Sequence, residues 1–173
     1  MVALSRTRLE PLRDALRKRG QRPSIILSGG AGSAELYDAM QLVEEWGPFV
    51  EAMYIVMASD RRVMNVEREV LRGALALLSD EKVRTRHMEA MLDAATRNIG
   101  AEGTERRLVK VIEQLRQNPT KAESAAVVAA AIAAADDRLP PEESDMLRRL
   151  MRDLQIDPTR AQEILAELEG LAK

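Results

Sequence analysis

The chain contains no cysteine, one histidine and four aromatic residues among 173. Without cysteine there is no disulfide framework, no thiolate metal site and no cysteine nucleophile, and a reducing cytoplasm is the expected compartment. The lone His87 lies between Arg84 and Arg86 and is expected on a solvent-exposed helix face, not as a ligand or base. The longest uncharged apolar run, 125–135, has 11 residues, well short of the roughly 20 that span a bilayer. No apolar stretch of secretory type opens the chain. No nucleophile elbow, dinucleotide fingerprint or zinc-binding spacing is present, so no enzyme is expected. Gly29, Gly30 and Gly32 lack the Gly-Lys-Ser/Thr that a phosphate loop requires.

What is present is ordinary for a soluble globular domain: 46% apolar and 31% charged residues. The apolar set is Ala, Leu, Val and Met rather than β-branched or aromatic, which favours helix. A chain of this length removes about 70% of its unfolded surface from water, so a single core suffices. Charge is unevenly spread. Residues 1–30 carry seven Arg or Lys against Glu10 and Asp14, a net +5; since the whole chain is −2, the remainder carries −7. An acidic body argues against a nucleic-acid groove, because phosphate contacts need clustered cations.

The most informative stretch is 58–71, ASDRRVMNVEREVL, which recurs at 134–147 as AADDRLPPEESDML. At an offset of 76, Ala58 meets Ala134, Asp60 meets Asp136, Arg62 meets Arg138, Glu67 meets Glu143 and Leu71 meets Leu147. Each copy follows one apolar helical run and precedes another, and so reads as helix, tight acidic turn, helix. The spacing predicts helices over 33–46, 49–59, 65–78, 81–98, 104–117, 120–135 and 141–154, with a last one from Pro158. Gly47 and Pro48 are expected to break the first run, and Gly100 and Gly103 to divide the halves. Thr120 with Glu123 forms a capping box, and Asp157 caps the last helix. The run AAVVAAAIAAA is apolar all round and is expected at the centre. Tyr37, Trp46, Phe49 and Tyr54 are expected in one packed corner. The fold class is all-α: a compact bundle of seven to nine helices in two pseudo-twofold-related helix–turn–helix halves.

Residues 1–32 read as a basic amphipathic segment and Gly-rich linker ahead of a domain at 33–173. Leu9, Leu12 and Leu16 at helical spacing admit two readings: a tail or a helix laid on the body, or an arm making peripheral contact with an anionic membrane or a partner.

The twin pattern resembles the TerB-like family of tellurite-resistance and related stress proteins. That family shows an Ala-Asp-Gly turn with a Glu seven residues after the Asp, in two halves. The matching positions are Ala58, Asp60 and Glu67, then Ala134, Asp136 and Glu143, and the resemblance covers roughly 33–170. The turn glycine is replaced by Arg61 in one half and Asp137 in the other. If that position is left-handed, Asp tolerates it and Arg is strained.

The resemblance implies a cytoplasmic, non-enzymatic stress-response module that acts through its acidic turns. Asp60, Glu67, Asp136 and Glu143 form the candidate metal set. Oxygen-only donors suit Ca²⁺ or Mg²⁺, and Arg62 and Arg138 are alternative sources of compensating charge. A protein partner is expected, and a homodimer is compatible with the sequence. The second reading is a metal-free adaptor, like the related domain of membrane-associated DnaJ-like co-chaperones. The local structural account also stands: Asp60 and Asp136 closing turns through backbone N–H groups, and Glu67 and Glu143 favoured by helix N-termini. A full capping box is poorly served, because Met64 and Pro140 have no side-chain acceptor and Pro140 has no N–H.

Overall fold

A computed structural model describes residues 4, 8–22, 33–136 and 138–171, with only the backbone described at 33–36. The Gly-rich connector, Asp137 and the Ser33 side chain lie outside the described residues. Among the described residues there are eight helices and no strand: α1 Leu9–Gly20, α2 Ser33–Met57, α3 Asn65–Leu78, α4 Thr85–Glu102, α5 Thr104–Arg116, α6 Pro119–Ala133, α7 Pro141–Asp153 and α8 Pro158–Leu171. None of these is long and apolar enough to cross a membrane.

Helix α6 is the hub, touching α1, α2, α3, α5, α7 and α8. Every residue from Ser124 to Ala135 is buried. Its alanines let neighbouring helices come close on all sides, as the sequence predicts. The cap at its start is Asn118, whose side chain accepts from the Lys121 N–H at 3.1 Å, rather than the expected Thr120. Pro119 then occupies the first turn, where its missing N–H costs nothing.

The duplication is visible in the backbone. The buried end of α2 and α3 correspond, at the offset of 76, to α6 and α7. Ala58 and Ala134 donate to the carbonyls of Tyr54 and Ala130 at 2.9 and 3.0 Å, and Ser59 and Ala135 to those of Val56 and Ile132 at 3.1 and 2.9 Å.

Three expectations are corrected. Gly47 and Pro48 do not break α2, which runs through them for 25 residues. Proline leaves the Glu44 carbonyl without its helical donor, and Gly47 has no Cβ to clash with the ring. Lys121 clamps this point from α6: its Nζ donates to the Glu45 carbonyl at 2.7 Å and lies 4.3 Å from the Trp46 ring centroid. His87 is buried, not exposed. It falls in the first turn of α4, and Nδ1 accepts from the Arg84 N–H at 3.2 Å. Burial, and then Arg86, push its pKa below the usual value, so the ring is neutral. The aromatic corner is partial: Trp46 and Phe49 meet edge-on at 5.7 Å, whereas Tyr37 is exposed.

The basic N-terminal helix belongs to the body. Leu4, Leu9, Leu12 and Leu16 join the same core as α2, α3 and α6, so the stripe that a lipid surface would take is already covered. Two glycines permit the close crossing of α1 over α3. A Cβ on Gly20 would stand 1.7 Å from the Glu69 carbonyl oxygen, and one on Gly73 would stand 1.9 Å from that of Leu16. Arg72 reinforces the crossing by donating to the Gly20 carbonyl at 2.6 Å. On the opposite side, buried Glu51 takes a bidentate pair from Arg107 at 2.6 and 2.8 Å, and Asn98 donates at 3.2 Å. This locks α2, α4 and α5 together.

Gly73→Ala is expected to lower unfolding stability by about 1–3 kcal/mol, because backbone rather than a flexible side chain obstructs the new methyl. Gly100 faces open space within α4, so Gly100→Ala should stabilise by about 0.5–1 kcal/mol. Urea denaturation of both variants checks the pair; equal effects would contradict the crossing described.

Candidate functional site

The two acidic turns are built alike. Asp60 Oδ1 accepts from the Arg62 N–H at 2.8 Å, and Asp136 Oδ1 accepts from the Arg138 N–H at 3.1 Å. Each aspartate closes its own turn, leaving Oδ2 for another partner. Arg61 has φ +66°, the left-handed conformation for which the family pattern places glycine. The strain expected from the sequence is therefore real in the first half.

Helices α3 and α7 then carry Glu67 and Glu143 inward, 7% and 5% exposed. The halves differ here. Glu67 Oε2 accepts a hydrogen bond from the Met64 N–H, which is half of a capping box. Pro140, in the equivalent place, has no N–H to give, and Glu143 Oε1 is buried without a hydrogen-bond partner among the described residues. A buried polar atom in this state costs about 1–3 kcal/mol, so the local helix-end account explains Glu67 better than Glu143.

All four carboxyl groups share one electrostatic neighbourhood. Glu143 feels Glu67, Asp60 and Asp136, and Glu67 feels Asp136 and Asp60. The sequence-predicted set is thus brought together across the two turns. Burial is the main cause of a raised pKa at both glutamates, with the neighbouring carboxylates adding to it. Glu67 rises from 4.5 to about 7, held back by its Met64 hydrogen bond, and Glu143 rises to about 8. At neutral pH Glu143 is mostly protonated and Glu67 is near half-titration.

The compensating guanidinium is not where the sequence suggested. Arg62 and Arg138 are exposed and contribute backbone N–H groups. Arg13, on α1, reaches the backbone of the second turn, donating to the Ala134 carbonyl at 3.1 Å, and no arginine among the described residues acts on the pKa of Glu67 or Glu143. A contact across 121 positions leaves no periodic mark in a single sequence, and sequence reasoning missed it. Among the described residues, no three Asp, Glu or His side chains stand in an arrangement that holds a metal ion. The donor chemistry fits a hard cation, and the orphaned Glu143 oxygen gives it an opening. Joint coordination would require side chains to turn.

Because both glutamates have raised pKa values in the folded state, their contribution to stability is full below pH 4.5 and is lost as pH rises through about 7 and 8. The melting temperature should fall between pH 5 and 8.5. Glu143→Gln should match wild type at pH 5 and exceed it at pH 8.5; parallel profiles would contradict the assignment. Arg61→Gly relieves a left-handed conformation costing about 1–3 kcal/mol and gives back about 0.5–1 in backbone entropy. A net gain on the order of 1 kcal/mol is expected in thermal denaturation.

No curated protein and no solved structure matches the chain. The family model for tellurite resistance protein TerB matches residues 49–166, a span that begins in the buried half of α2, takes in both acidic turns and ends in α8. The chain belongs to the TerB family.

Proposed function

We propose that this TerB domain is a non-enzymatic, cation-responsive binding module in which Asp60, Glu67, Asp136 and Glu143 take up Ca²⁺ or Mg²⁺ in exchange for protons. The observation that carries the reading is the Glu143 Oε1 atom, buried without a donor among the described residues and beside three further carboxylates. Such a cluster persists only with protons, a cation or arginines in it. Oxygen donors without sulfur or imidazole suit a hard divalent ion. Bound cation would supply charge neutralisation; the chain's own part is to hold the two turns face to face and to keep water away from the glutamates. Val63 and Met64 are exposed in the first turn, which gives a protein partner apolar contact beside the charge that the cation changes. The family match supports a cytoplasmic stress-response role.

The second reading is a metal-free helical adaptor. It is favoured by the absence, among the described residues, of three side chains already poised around one point. In that reading the protons alone keep the cluster stable.

Calorimetric titration with Ca²⁺ at pH 7, in two buffers of different ionisation enthalpy, separates the readings. The cation reading expects saturable binding with net release of about one and a half protons, because one glutamate is mostly protonated and the other about half so. Saturating ion should then stabilise the fold by about 2.7 kcal/mol at a hundredfold excess over Kd, and more strongly at pH 8 than at pH 6. Asp60→Asn combined with Asp136→Asn should remove most of that gain. The adaptor reading expects no saturable heat and no cation dependence of melting.

A further inference from the structure

A second charged feature lies away from the acidic turns. The end of α1, the middle of α3 and the start of α4 enclose a cleft of about 330 Å³ lined by Arg19, Arg22, Arg72 and Arg84, with Glu81 the one carboxylate among them. Four guanidinium groups line the cleft against Glu81, with Glu89 4.0 Å from Arg72 behind it, which leaves a net positive patch in a chain whose net charge is −2. We propose that this cleft binds a phosphate monoester.

Two of the arginines are held in place. Arg72 is fixed by its bond to the Gly20 carbonyl, and Arg19 is paired to Glu81 through Nε at 3.0 Å and through Nη2. Arg22 and Arg84 have no carboxylate partner among the described residues and are exposed, so their forks are open to a ligand. Guanidinium matches phosphate oxygens in pairs, and it does so better than an ammonium group would. Helix α4 begins at Thr85 on the cleft wall and has no acidic residue in its first turn, so its positive end adds to the field instead of being neutralised. With Arg22 and Arg84 both open, a doubly charged ester gains more from the cleft than a carboxylate does. Ala76 and Val83 line the same cleft. With a volume at the lower end of small-molecule sites, it admits a phosphate bearing a short organic body.

The probe is glycerol 3-phosphate, titrated into the full chain at low ionic strength and followed by calorimetry and by the ¹⁵N shifts of arginine Nε. Saturable one-site binding is expected, with shifts at Arg19, Arg22, Arg72 and Arg84 and none at Arg152, an exposed arginine on α7. The double variant Arg22→Gln, Arg84→Gln should weaken binding at least about tenfold, the loss expected for a charge-assisted contact. Arg152→Gln should leave it within about twofold. Absence of saturable binding, or equal losses in the two variants, would overturn the proposal. So would shifts spread evenly over all arginines of the wild-type chain, a readout that does not depend on any variant folding. Sedimentation with phosphatidic-acid vesicles, reversed by the free ester, would assign the phosphate to a lipid headgroup. Binding of the free ester without sedimentation would assign it to a soluble compound. Either result supports the same site.

Discussion

Four carboxyl groups converge where the two acidic turns meet, and two of them are almost fully removed from water. Like charges in a poorly solvated space repel strongly, so the fold can carry them only by changing their protonation or by supplying positive charge. The rest of the molecule is arranged around that constraint. An alanine helix buried on all sides lets the duplicated halves approach, and each aspartate gives one oxygen to its own turn. Helix α1 crosses α3 through Gly20 and Gly73 and delivers Arg13 to the second turn.

The duplication is not symmetric, and the asymmetry has a simple cause. Glu67 receives the Met64 N–H, whereas Glu143 faces a proline that has none. One hydrogen bond to the charged form favours ionisation, and its absence leaves burial unopposed. Glu143 therefore holds its proton to a higher pH than Glu67 does. In the cation reading we propose, an entering ion would displace protons mainly from Glu143, and its affinity would depend on pH near neutrality.

Much of this was legible in the sequence. The offset of 76 aligned the turns, the all-apolar run marked the central helix, and Asp157 with Pro158 marked the last helix; its carboxylate accepts from Thr159 and Arg160. The missing N–H at Pro140 pointed to Glu143 as the less satisfied carboxylate. The failures have different physical reasons, one distant in sequence and one local. Pro48 stays helical because Lys121, 73 positions later, supports the neighbouring carbonyl. Because α4 begins four residues later than its sequence pattern suggests, His87 falls in the first turn, where Nδ1 takes the Arg84 N–H. The leucine stripe of α1 admitted a helix laid on the body, and two glycines let the backbones touch there. The pKa shifts depend on burial depth, which residue spacing does not encode.

The account rests on Glu67 and Glu143 holding protons near neutrality and giving them up to a cation. The most direct test is a pH titration of the glutamate side-chain carboxyl carbons by ¹³C NMR, without and with Ca²⁺. The account predicts two resonances, assigned to Glu67 and Glu143, with midpoints near 7 and 8, both moving to lower pH when the ion is present. Midpoints near 4.5 for both, or midpoints that the ion leaves unmoved, would contradict it.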